Sequence, residues 1–201
     1  MNYRKELALG LSCLLLSFFC FMVQVRASQE EQAAAISADI LRFRVLANSD
    51  SKADQALKLE VRDAILQYMQ TLPASDKETF CRTLDLHLPK IEQLANQYIA
   101  AAGYEYRASA SLVNCHFPPK TYGDNLFPEG NYDALRITIG KGAGRNWWCV
   151  LYPQLCFTDA ACTTITEESD ERLKDTLDLD RYLLLEDNRP EIRFLFLDLG
   201  K

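Results

Sequence analysis

GKGAGRNWWCVLYPQLCF, Gly140–Phe157, is the stretch whose reading decides the fold. Gly140, Gly142 and Gly144 crowd its start, and glycine permits backbone conformations and close approaches closed to other residues. A phosphate-binding loop would open a helix and supply Lys-Ser or Lys-Thr. Here Arg145 and Asn146 lead instead into Trp147, Trp148, Cys149, Val150 and Leu151, a run of strand formers. The glycines therefore read as a tight turn into a strand, and a nucleotide-binding fold is set aside. That strand, Asn146 to Leu151, is apolar on both faces, which predicts a central or covered place in a sheet. The stretch holds no acid, no His and no Ser.

Upstream, Leu135, Ile137 and Ile139 alternate with Ala134, Arg136 and Thr138, a strand signature. Residues 117–131 are rich in Pro, Gly, Asn and Asp and read as a loop. A longer alternation from Tyr104 to Leu112 predicts another strand. Before it lie two helices. Leu57, Val61, Ala64, Ile65, Tyr68 and Leu72 form the stripe of the first, with Lys58, Arg62 and Asp63 on its other side. Ser51 and Asp54 suggest a cap, and Pro73 ends it. The second is capped at Ser75 or Asp76, runs from Phe80 to Ile99 and closes at Gly103. Pro89 is expected to kink or divide it near His87. The first strand places Leu41, Phe43, Val45 and Ala47 on one face and stops at Asn48-Ser49-Asp50.

Downstream, residues 158–189 hold ten acidic and four basic side chains. Leu173, Leu177 and Tyr182 to Leu185 support one helix, and Ile192 to Leu197 a last strand. The order predicts an α+β domain with two helices packed on one face of a largely antiparallel sheet. Residues 1–27 are a leader, 28–39 a polar, Ala-rich tether with the option of starting a short helix, 40–157 the core domain and 158–201 an acidic C-terminal extension ending in a strand.

The leader has the layout of a secretory signal. Arg4 and Lys5 precede Leu7–Val23, 17 residues without a charge, and Val25-Arg26-Ala27 offers a cleavage site after Ala27. Cleavage is favoured over retention as an anchor across residues 7–25, which are near the shortest length that spans a bilayer. Removing Arg4, Lys5, Arg26 and Glu6 takes the net charge of the 201-residue chain from −6 to −8. Such an acidic domain repels nucleic acid and anionic lipid.

Five cysteines remain beyond the leader: Cys81, Cys115, Cys149, Cys156 and Cys162. There is no CxxC, and His87 and His116 are the two histidines, so neither a metal site nor a cofactor is expected. Cys149 and Cys156 flank Pro153, and export raises the odds of a bridge between them until it stands level with two buried thiols. Cys115 competes for either sulfur. Cys115 beside His116 resembles a nucleophile and base, but neighbouring strand residues face opposite ways. Asp50, Asp54, Glu60 and Asp63 read as capping and solvated helix surface.

Arg42–Asp50, RFRVLANSD, continuing through SKADQALKLEVRDAIL to Leu66, resembles the first block of the stage II sporulation protein R family. Phe117–Phe157 resembles its second block. Gln154, Tyr152 and Ala143 depart from the family pattern, where Pro, Phe and a charged residue are expected. The resemblance implies a secreted, non-enzymatic signalling protein of endospore-forming bacteria. Such a protein passes from the forespore into the intermembrane space and triggers a membrane-embedded aspartic protease that processes the sigma-E precursor. For the protease contact the reading selects Arg145, Asn146, Trp148 and Tyr122, with Asn48, Ser49 and Asp50 as a second edge. Trp and Arg are favoured interface anchors. Trp147 and Trp148 face opposite ways, and their roles as core and contact are interchangeable at this stage. The rival readings are an exported thiol hydrolase using Cys115 with His87 or His116, and a cell-wall-binding module.

Overall fold

The computed structural model describes residues 3–155 and 167–187. A helix, α1 (Tyr3–Ser37), leads into β1 (Leu41–Leu46), then α2 (Lys52–Met69) and α3 (Lys77–Ala101). The sheet continues with β2 (Ala108–Phe117), a short hairpin of β3 (Lys120–Tyr122) and β4 (Asn125–Phe127), then β5 (Gly130–Ile139) and β6 (Asn146–Tyr152). Two helices, α4 (Glu167–Thr176) and α5 (Leu179–Asp187), follow. The fold is α+β.

The main sheet is mixed, with strand order β2-β5-β1-β6. β2 and β5 pair antiparallel, as do β1 and β6, while β1 and β5 run parallel in the middle. Register is fixed by side-chain alternation, because a slip of one residue would move every apolar group to the wrong face. One face carries Leu41, Phe43, Val45, Leu135, Ile137 and Ile139, all buried beneath the helical layer. Each such aliphatic or aromatic side chain contributes about 1.5–3 kcal/mol on burial.

Local chemistry explains the helix ends. The Ser51 hydroxyl accepts from the Asp54 amide at 3.1 Å and caps α2. Asp76 caps α3 by accepting from the Thr79 amide at 2.8 Å. After α3, Gly103 takes φ +81° and the Tyr104 amide donates back to Ile99 O at 3.1 Å, closing the last turn. Pro89 lies inside α3 without dividing it.

Several expectations are revised by packing. The stretch read as a tether continues α1 to Ser37 and buries Ala33 and Ile36. Tyr104 and Tyr106 lie outside β2, which starts at Ala108 and extends instead to Phe117. The loop at 117–131 contains the β3–β4 hairpin, turned at Gly123 with φ +57°. Strand β6 is covered but lies at the edge of the described sheet. The acidic extension forms two helices where one was expected, because Asp178 interrupts them and accepts from the Arg181 amide at 3.0 Å. Leu173, Leu177, Tyr182 and Leu185 join the core. The strand expected at Ile192–Leu197 lies outside the described residues.

Candidate functional site

Parallel pairing of β1 with β5 brings their C-terminal ends to one edge of the sheet, where antiparallel β6 begins. The loop after β1 (Ala47–Ser51) and the glycine turn after β5 (Gly140–Arg145) therefore meet. Gly144 N–H donates to Ala47 O at 2.9 Å, and the Lys141 amide donates to Asn48 Oδ1 at 3.0 Å. The contact demands glycine: a Cβ on Gly144 would lie 2.2 Å from Ser49 O. Gly140 has φ +56°, and a Cβ there would meet Asn48 Oδ1 at 2.2 Å.

Asp54, in the first turn of α2, is the hub beneath this junction. Its carboxylate accepts from the Ser49 hydroxyl, from Asn48 Nδ2 at 3.0 Å and from the Tyr106 hydroxyl at 2.5 Å. The Ser49 bond, followed by that of Tyr106, holds the Asp54 carboxyl below the usual range. Burial, helped by the bond to Asp54, pushes the Tyr106 phenol up. Lys58 is one helical turn on and buried; its Nζ donates to Arg145 O at 3.1 Å and to Gln55 Oε1 at 2.7 Å. Burial lowers the Lys58 pKa, and the nearby Arg145 charge adds to this.

The selected residues divide accordingly. Asn48 and Ser49 turn inward and build the junction. Asp50 accepts from the Arg145 amide at 2.7 Å and lies 3.5 Å from its guanidinium. The Arg145 side chain itself is 77% exposed. Asn146 Oδ1 accepts from Arg44 Nε at 3.3 Å. Trp148 is half-buried on the sheet face turned away from α2 and α3, edge-on to Phe117 at 4.8 Å, with the Arg44 guanidinium 4.4 Å over its ring. Trp147 is equally half-buried on the helix face, against Phe43 at 5.6 Å, with Arg62 4.9 Å over it. Tyr122 does not join this surface. It is 2% exposed, and its hydroxyl donates to Trp148 O at 3.2 Å and accepts from Arg42 Nη2 at 3.4 Å. Cys149 is buried and disulfide-bonded, while Cys156 lies outside the described residues.

The stage II sporulation protein R family model matches residues 37–162, which include every strand of the sheet and both loops of the junction. The chain belongs to the stage II sporulation protein R family. It is 37% identical over 145 residues to Stage II sporulation protein R of Bacillus subtilis (strain 168), covering 71% of this chain. The match spans 65% of the relative's own length. No solved structure is significantly similar.

In this member of the sporulation protein R family, sequence reading missed the residues that support the surface from below. Lys58 and Arg62 were placed on the side of their helix away from its apolar stripe, yet both are 5% exposed. Long aliphatic stems let such residues pack while their heads find carbonyl or aromatic partners. Arg42 is wholly buried, ringed by Phe117, Tyr132, Phe127 and Tyr122 at 4.6, 5.1, 5.4 and 5.7 Å. Burial lowers its pKa, while four ring faces favour the cation. The available signal was Arg42 and Arg44 alternating with apolar neighbours. Neither histidine approaches a described thiol through a hydrogen bond: His87 Nδ1 meets the Tyr68 hydroxyl at 2.5 Å, and His116 Nε2 meets Glu129 at 3.1 Å. Among the described residues no cluster of His, Cys, Asp or Glu is arranged to hold a metal.

Proposed function

We propose that this chain is an exported signalling protein of sporulation that activates a membrane-embedded aspartic protease, which then processes the sigma-E precursor. Family membership supports the sporulation role. The observation that carries the signalling reading is the junction of the two loops. There the Asp54 carboxylate is engaged within the fold by Ser49, Asn48 and Tyr106, and the network so formed presents exposed Arg145 beside Asn146. A preorganised surface suits a ligand that must bind the active state of its receptor more tightly than the inactive one. The N-terminal part of α1 is long and apolar enough to cross a membrane. This is compatible with delivery by a signal or anchor segment, and the reading places the domain in the space between forespore and mother cell.

The test is co-expression with the candidate protease and its substrate in a host lacking both. The wild-type chain is expected to trigger cleavage of the sigma-E precursor. Arg145→Ala with Asn146→Ala should abolish it while leaving the unfolding midpoint unchanged. Normal processing by that folded double variant would remove the junction from the contact. Loss of signalling in a folded variant lacking both His87 and His116 would favour the hydrolase instead.

A further inference from the structure

Among the described residues, the sheet face opposite α2 and α3 is covered over only part of its length. Around Arg42 it lies under the β3–β4 hairpin, but towards the glycine turn it opens. Two rows of half-buried or exposed residues cross all four strands there. Ser111, Arg136, Arg44 and Trp148 make one row; Ser109, Thr138, Leu46 and Asn146 make the next. Arg44 and Arg136 are direct partners in the parallel pair, so two cationic side chains rise from neighbouring strands on the same face. Like charges so placed repel.

No carboxylate forms an ion pair with either guanidinium among the described residues. Arg136 Nε has no hydrogen-bond partner although it is buried. Among the described residues, the hydrogen bond of the Arg44 guanidinium goes to the neutral amide of Asn146. This happens in a chain with 28 acidic against 22 basic side chains, so carboxylates are plentiful elsewhere. A planar guanidinium offers a fork of donors suited to a carboxylate. Beside the pair, the Trp148 ring provides an apolar wall stacked by Arg44.

We infer that this open face binds an acidic, extended peptide segment of the receptor, with a carboxylate held between Arg44 and Arg136 and a neighbouring apolar side chain against Trp148. The face adjoins Asn146 and so continues the junction surface. The identity of the receptor rests on the protease-activation reading, whereas the charge complementarity does not.

Binding is read by fluorescence in a Trp147→Phe background, which leaves Trp148 as the sole indole. The probe is an acetylated, amidated peptide alternating glutamate and valine, with the lysine–valine peptide as control. The glutamate peptide should give a saturable, salt-sensitive change, and Arg44→Gln with Arg136→Gln should weaken it roughly tenfold or more. Arg44→Glu with Arg136→Glu should reverse the preference towards the lysine peptide, a gain that misfolding cannot produce. No saturable change, equal binding of both peptides, or stronger attachment to phosphatidylglycerol vesicles than to the peptide would overturn the inference. In the co-expression assay, failure of the wild-type chain to trigger cleavage would defeat the protease reading. Wild-type activation together with full activation by the Arg44→Gln, Arg136→Gln variant would defeat this surface instead.

Discussion

Gly140 and Asp54 show how single residues hold the junction. Gly140 combines a left-handed backbone with contact against Asn48, so Gly140→Ala carries two penalties. The left-handed conformation alone costs about 1–2 kcal/mol for a residue with a Cβ. Displacing Asn48, which bridges the Lys141 amide and Asp54, adds to that. Urea denaturation of Gly140→Ala should show a loss of at least about 2 kcal/mol. Asp54 makes stability depend on pH. Its folded pKa is depressed, so the unfolded chain binds more protons in the acid range. Its contribution is complete above the ordinary Asp value of about 4 and is lost as pH falls through the lower folded value. Unfolding measured from neutral to strongly acid pH should therefore weaken on acidification, and Asp54→Asn should flatten that slope. An unchanged slope would show that Ser49 and Tyr106 do not hold the carboxylate as charged.

At the scale of elements, α3 persists through a residue that ordinarily breaks helices. Proline removes an amide donor and crowds the preceding turn, at about 3 kcal/mol relative to alanine in a helix interior. Pro89 is solvent-exposed within the continuous α3. Pro89→Ala should accordingly raise stability by about 1–3 kcal/mol in the same denaturation assay. A decrease would mean that α3 depends on the proline itself. The continuity of α3 follows from its buried stripe. Phe80 and Leu84 before the proline, and Ile91, Ala95 and Ile99 after it, pack in one core. Tertiary packing outweighs the local cost of one missing hydrogen bond. The β1–β5 pair is another decision made between elements. Neither strand's alternation says whether its neighbour runs parallel, yet that choice places Asn48 beside Lys141, 93 positions away in the chain.

For the whole molecule, the relation of α1 to the folded domain is the informative feature. Its last turns pack on β5, where Gly130 leaves room for Ala33; a Cβ on Gly130 would lie 2.5 Å from the Ala33 Cβ. Ile36 is fully buried. A chain beginning at Ser28, as cleavage after Ala27 would leave it, should retain the stability of the domain. One beginning at Ala38 should lose about 2–4 kcal/mol by thermal or urea unfolding, through removal of Ile36 and Ala33 from the core. Equal stability of the two would show that the end of α1 only rests on the domain. The acidic C-terminal helices bind the same body: Asn125 in the hairpin donates to Asp170 at 3.1 Å, and Arg181 pairs with Asp39.

Local sequence was sufficient for whatever depends on near neighbours. The period-two alternation of Leu41 to Ala47 and of Ala134 to Ile139, the cap at Ser51, the stop at Gly103 and the apolar N-terminal run all follow from residue-by-residue chemistry, while the choice of Asp76 over Ser75 as the α3 cap was left to the structure. The two blocks Arg42–Leu66 and Phe117–Phe157 also carried the family and drew attention to Arg145, Asn146 and Asn48–Asp50. Only tertiary structure joined those last two groups into one junction and withdrew Tyr122 into the Arg42 cage. It also buried Lys58 and Arg62 and set Arg44 beside Arg136 on an open face. The physical reason is common to all of these. Strand order, strand direction and the burial of a long polar side chain are settled by contacts between residues far apart in the chain, and periodicity along one segment is blind to the neighbour that will cover it.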